Sequence, residues 1–110
     1  MFARIVESIP KMEMLEKKDE IVRILKNEVL PIMRKQRGFL EFLPLTPEIK
    51  NEKFIGITLW AEKKDADRYE REGFEMVLQI LRPYLAAPVI VRNYTVETTL
   101  CEHFEKVLAA

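Results

Sequence analysis

Histidine, cysteine and glycine are scarce in this chain: it has one histidine, His103, one cysteine, Cys101, and three glycines in 110 residues. A single cysteine cannot close an internal disulfide, so the chain suits a reducing compartment, and the cytoplasm is the expected location. One histidine and one cysteine leave few parts for a metal site or a Cys–His nucleophile, and no metal is expected. Cys101 and His103 would share a face only on a strand, and no orienting third group lies close by in sequence. Gly-rich phosphate loops, G-x-S-x-G, H-E-x-x-H and C-x-x-C motifs are all missing. No apolar run is long enough to span a membrane. The first residues meet an acid at Glu7, too early for a secretory signal. Charge of either sign is not in excess: 18 Lys and Arg balance 18 Asp and Glu. Without a basic field, nucleic acid is not an expected partner. Zero net charge also offers little self-repulsion against assembly.

The residues that are present describe one domain over 1–110, with 98–110 as a C-terminal extension. Hydrophobic residues make up 48% and charged residues 33%, an ordinary globular balance. Residues 2–8 alternate, with Phe2, Arg4 and Val6 on one side and Ala3, Ile5 and Glu7 on the other, and Pro10 ends the strand. Residues 16–36 carry Ile21, Leu25, Val29, Ile32 and Met33 at helical spacing. Pro31 inside that pattern predicts a kink near Asn27–Leu30, and Gly38 suits the stop.

Residues 39–45 and 54–61 read as strands that are apolar on both sides, joined by a polar loop over 46–53. Pro44 makes the end of the first an edge or a bulge. On the second, Phe54, Thr58 and Trp60 share one face with Gly56 between them, and Ile55, Ile57 and Leu59 share the other. Residues 64–84 read as a helix broken at Gly73, with Phe74, Val77, Leu78, Leu81 and Leu85 in one stripe. Residues 89–97 return to strand, and 98–110 carry Leu100, Phe104, Val107 and Leu108 on one face of a short helix.

Strand, helix, strand, strand, helix, strand is the order of an α+β, ferredoxin-like split βαβ sandwich with an antiparallel sheet. Helices in that plan cover one sheet face. The doubly apolar strands then require a cover for the other face, and a second copy of the chain supplies it, making a homodimer. Trp60 is the strongest site candidate: Gly56 and Thr58 beside it leave room for a flat apolar ligand, with Phe74 and Met33 as further candidate walls. Met12, Met14 and Met76 read as adaptable filling. Arg4, Arg92, Asn93 and Tyr94 are the polar residues expected to project toward an interior, and Tyr94, Asn93 and Arg92 are the candidate catalytic groups. Tyr94 could donate to a bound carbonyl or oxyanion.

The run Gly38-Phe39-Leu40-Glu41-Phe42, the strand closing in Trp60, the helix with Ala66 and Tyr69, then Phe74, and the run Leu81, Pro83, Leu85, Pro88–Val89 resemble the antibiotic biosynthesis monooxygenase-like (ABM) domains over residues 2–96. Arg37 stands where that family usually has proline. The resemblance implies sheet-to-sheet pairing as a dimeric α+β barrel. It also implies oxygenation of a small planar, aromatic substrate without a cofactor. Relatives that break down haem use an Asn on the first strand, a Trp on the third and a His on the second helix. Only Trp60 matches here, so haem is not expected. The alternative is a non-catalytic small-molecule-binding or structural homodimer.

Overall fold

Four strands and the two helical runs between them decide the architecture. A computed structural model of the chain describes residues 1–97, so the expectations for 98–110, Cys101 and His103 included, lie outside the described residues. Strands β1 (Phe2–Ser8), β2 (Phe39–Leu45), β3 (Phe54–Trp60) and β4 (Ile90–Thr95) form one sheet in the order β2-β3-β1-β4. Every neighbouring pair is antiparallel. This is the α+β, ferredoxin-like fold that the element order predicts.

Directly opposed residues of an antiparallel pair share a face. Arg4 lies opposite Thr58 on β3 and Asn93 on β4, and Phe42 lies opposite Thr58 from the far side. The inner face therefore carries Phe2, Arg4, Val6, Phe42, Gly56, Thr58 and Trp60. The outer face carries Ile5, Ile57, Leu59, Leu43, Leu45, Ile90, Arg92 and Tyr94. The helices cover the inner face. Phe2, Trp60 and the helical Val29, Met33, Ala66, Tyr69, Phe74 and Val77 form a single buried cluster.

The first helical run comprises α1 (Lys18–Ile24), a π-helical turn (Leu25–Val29) and α2 (Leu30–Arg34). Pro31 explains the turn. It has no N–H to give to Asn27, and its ring crowds the turn before it. The Leu30 N–H bonds instead to the Leu25 carbonyl, five residues back. The sequence places a kink at this point, and the structure realises it as a wider turn. The second run splits at Gly73 into α3 (Lys63–Glu72) and α4 (Phe74–Leu81). A short turn over Arg82–Tyr84 follows, so Leu85 leaves the helix and bridges Pro10.

Gly38 joins α2 to β2 at φ +83°, a backbone region that side chains disfavour. A side chain there would also overlap the buried Asp65 carboxylate, which accepts from Arg68 at 3.2 Å. Gly56 serves differently. The Phe42 ring lies 3.2 Å from where its Cβ would be, so the missing side chain lets an aromatic ring rest on β3. β2 and β4 are the edges, and Pro44 lies on the β2 edge, while the register shift falls earlier, between Phe39 and Glu41.

Candidate ligand cavity

Between the inner sheet face and the helices lies a cavity of about 100 Å³. Its floor is Arg4, Val6, Phe42, Gly56 and Thr58 from the sheet. The helices contribute Leu25 and Val29 from the π turn, Met33 from α2, Tyr69 from α3, and Phe74, Val77, Leu78 and Leu81 from α4. The wider turn forced by Pro31 thus supplies part of the wall. Ser8, Pro10, Leu45, Thr46, Tyr84 and Leu85 line one end. No Asp, Glu or His is among the lining residues described.

Four of the sequence candidates, Met33, Gly56, Thr58 and Phe74, stand in this wall. Trp60 does not. It is 0% exposed and lies one layer behind, stacked on Tyr69 with ring centroids 5.0 Å apart. Its indole Nε1–H donates to Thr58 Oγ1 at 2.9 Å, which ties the tryptophan to the cavity floor. Of the polar four expected to face an interior, only Arg4 does so. Arg92 and Tyr94 fall on the outer face by strand parity, and Tyr94 is exposed there. Asn93 shares the inner face but is exposed on the edge strand. Arg92 donates to Glu7 at 3.3 Å, an outer-face contact far from the cavity chemistry. Of the methionines expected as filling, Met14 is buried, while Met12 and Met76 are exposed.

Arg4 is the residue that departs from an ordinary core. Its side chain is 2% exposed. Nη1 donates to Glu70 Oε2 on α3, whose carboxylate is half-exposed to solvent. The guanidinium lies over Phe74, 4.6 Å from the ring centroid, and 5.3 Å from that of Tyr69. Nε and Nη2 are buried with no hydrogen-bond partner among the described residues. Each such donor costs about 1–3 kcal/mol when left unmade. Burial lowers the Arg4 pKa, against the opposing influence of Tyr69 and Asp67. A guanidinium keeps its proton nonetheless, so a fixed positive charge borders the cavity.

Tyr69 is a lining residue that sequence reasoning passed over as a site residue, whereas Arg4 was among the polar residues expected to face an interior. The tyrosine sat in the helical stripe beside Ala66, where an aromatic reads as core. Burial pushes its phenol up to about 12, while the nearby Arg4 charge pulls the other way. Tyr69 is therefore a neutral hydroxyl at ordinary pH. The signal for Arg4 was present in the sequence: a charged residue between Phe2 and Val6 on one strand face.

No family model matches the chain, and no curated protein matches it. Solved structures do. A mutant of SnoaB, a cofactor-independent oxygenase from Streptomyces nogalater, superposes with a TM-score of 0.68 at 18% identity, covering 92% of this chain and 97% of that one. The haem-degrader MhuD of Mycobacterium tuberculosis, with two haems in its active site, gives 0.70 at 14% identity, over 91% of this chain and 99% of that one. NE2512 of Nitrosomonas europaea, a protein of unknown function, gives 0.67 at 12% identity over 89% and 90%. The chain thus has the fold of the antibiotic biosynthesis monooxygenase structures, as its motifs suggested. Identities this low carry the fold and leave the activity to the residues of the site.

Proposed function

We propose that the cavity binds a small planar, electron-rich aromatic molecule and that the protein lets O₂ oxygenate it without a cofactor. The observation that carries this reading is the cavity itself: an almost wholly apolar space between sheet and helices, walled by Phe42, Tyr69 and Phe74 and bordered by one buried positive charge. Apolar walls exclude water and select a flat ring. The Arg4 charge favours the anion of an acidic substrate, the form that surrenders an electron to O₂. The wall offers no carboxylate or imidazole base among the described residues, so the substrate must ionise readily.

For an activated ring CH₂ the balance is direct. The carbon loses a proton to solvent, and the carbanion passes one electron to O₂. The two radicals join in a C–O bond, and the hydroperoxide loses water to leave a ketone. One oxygen stays, the other departs as water, and the substrate supplies all the electrons.

Haem fits this wall poorly. The cavity, at about 100 Å³, is smaller than a porphyrin, and its described lining has no imidazole or thiolate. The Tyr69 phenol, held near 12, is a reluctant anionic ligand. Binding without turnover is a second reading, favoured by the missing general base. Oxygen uptake with single-ring hydroxyaromatics, whose keto tautomers carry an activated ring CH₂, separates the two. The proposal predicts uptake with one ¹⁸O atom from ¹⁸O₂ in the product. Binding with no uptake supports the second reading, and no binding removes both.

The outer sheet face supports pairing with a second copy of the chain. Leu43, Leu45, Ile90 and Tyr94 are exposed there, around Ile5, Ile55 and Ile57. Glu7, paired with Arg92 and Lys53, interrupts these apolar groups, and a second copy would cover the apolar part. Sedimentation equilibrium tests this assignment: a dimer mass supports it, and a monomer at micromolar concentration contradicts it. Among the described residues, no helix is long and apolar enough to cross a membrane.

A further inference from the structure

We propose that the ligand of this cavity carries a carboxylate, gripped through both oxygens by the Nε–H and Nη2–H edge of Arg4. The proposal deepens the binding-without-turnover form of the cavity reading above and rests on it: with Arg4 paired to a carboxylate, an oxidisable second anion on the same ligand would be uncompensated. A guanidinium has a side edge, Nε–H and one Nη–H, that points two parallel donors in one plane. That edge matches the two oxygens of a carboxylate. In Arg4 the donors without a protein partner are Nε and Nη2, both buried beside the cavity. The remaining terminal nitrogen, Nη1, is held by Glu70 from the solvent side. The side chain is thus anchored at one end and unpaired along the other, where neighbouring side chains cover the two donors until a ligand displaces them.

Native proteins satisfy their buried donors, and a pair left open in register is the mark of an absent partner. The packing restrains the edge. The guanidinium carbon lies over the rings of Phe74 and Tyr69, and this packing limits how far Arg4 can turn toward another acceptor.

Charge narrows the class further. Arg4 brings one positive charge, already shared with Glu70. A second negative charge on the ligand would be buried without compensation, which is costly in an apolar space. A monoanion fits and a phosphate dianion does not. The rest of the wall is apolar, from Val29, Met33, Val77 and Leu78, so the body of the ligand is apolar too. An apolar cavity of roughly 150 Å³ accommodates a benzene ring. This one, at about 100 Å³, suits a single ring after small side-chain adjustments. The chemical class is a small aromatic or similarly planar carboxylate.

A neutral amide is the decisive control. Benzamide has the shape of benzoate, but it offers one oxygen acceptor, and its NH₂ would confront the second Arg4 donor. A site built for two acceptors rejects such an analogue because its own donors are left unpaired.

The experiment uses ¹⁵N-labelled whole protein, following the Arg4 Nε–H and Trp60 indole N–H resonances during titration with benzoate or benzamide. The proposal predicts that benzoate binds roughly tenfold or more tighter than benzamide, a gap of about 1.4 kcal/mol or more. It also predicts that benzoate shifts the Arg4 Nε–H signal, and that Arg4→Lys, which keeps the charge and loses the edge, brings benzoate down to the benzamide level. Should Arg4→Lys fail to fold, the two probes on the wild-type protein decide alone. Equal affinity for the two probes overturns the carboxylate assignment and leaves the cavity reading standing. Displacement of benzoate by inorganic phosphate overturns it as well, in favour of a general anion site. If neither probe moves either resonance, the cavity reading falls along with the proposal.

Discussion

The two faces of the sheet are built from the same strands, one residue apart, and they differ in every respect that bears on function. On β1 the inner set, Phe2, Arg4 and Val6, faces the helices, and the outer set, Ala3, Ile5 and Glu7, points away from the described ones. On β3 Thr58 and Trp60 are buried inward, while Ile57 looks outward beside the exposed Leu43. The inner face holds a charge in an apolar space, which is expensive unless a ligand completes it. The outer face holds apolar groups against solvent, which is expensive unless another surface covers them. The two faces thus suit the two different partners proposed above: a small molecule inside and a second copy of the chain outside.

The sharpest break of this comparison is Trp60→Ala. Removing a fully buried indole should cost about 3–5 kcal/mol in urea unfolding, the range for large-to-small core changes. A loss under about 1 kcal/mol would show that Trp60 carries little of the core.

Base tests the inner face through Tyr69. Its folded pKa, about 12, exceeds the unfolded value near 10. Stability from the neutral phenol is therefore full below pH 10 and is lost between pH 10 and 12. A shift of that size amounts to roughly 2–3 kcal/mol. Unfolding curves at about pH 9 and about pH 11 should diverge more for the wild type than for Tyr69→Phe, and equal divergence would remove the burial argument.

Ile57→Lys addresses the outer face. A charge there should halve the mass in sedimentation equilibrium while leaving benzoate binding in place, because the side chain points away from the cavity. An unchanged dimer mass would place the interface elsewhere.

Arg4→Met separates function from stability on the inner face. Exchanging a buried, partly unpaired charge for an apolar side chain of similar length should leave stability unchanged or raise it by about 1–4 kcal/mol. It should abolish the preference for benzoate over benzamide. The smallest effect is expected from Tyr94→Phe. Its hydroxyl is on the outer face, so ligand affinity should stay within about twofold and stability within about 0.5 kcal/mol. A tenfold loss of affinity would restore Tyr94 as a site residue and contradict the assignment of faces.

Much of this was legible in the residues themselves. Alternation located β1, short runs apolar on both faces located β2 and β3, and Pro31 marked the place where the helix widens. The loop side of Gly38 and the break at Gly73 were equally plain. Strand parity within one segment was readable too, since Arg4 aligned with Phe2 and Val6.

What escaped was parity between segments. Arg92 and Tyr94 could be assigned to a face only once β4 was paired in register with β1, with Ile5 opposite Arg92. Tyr69 escaped because an aromatic on a helix stripe looks the same whether it fills a core or walls a cavity. Trp60, suggested as a wall by its size and its neighbours Gly56 and Thr58, is stacked on the lining residue Tyr69 and is not itself among the lining residues described. The two open donors of Arg4 have no trace in a sequence at all, because they are defined by what the fold fails to place beside them.

A crystal structure of the protein grown with benzoate tests the central claim most directly, since it reads both faces at once. The account predicts the carboxylate paired side-on with Arg4 Nε and Nη2 beneath α4, and the outer face buried against a second copy. Benzoate lodged away from Arg4, or an outer face left bare in solvent, would contradict it.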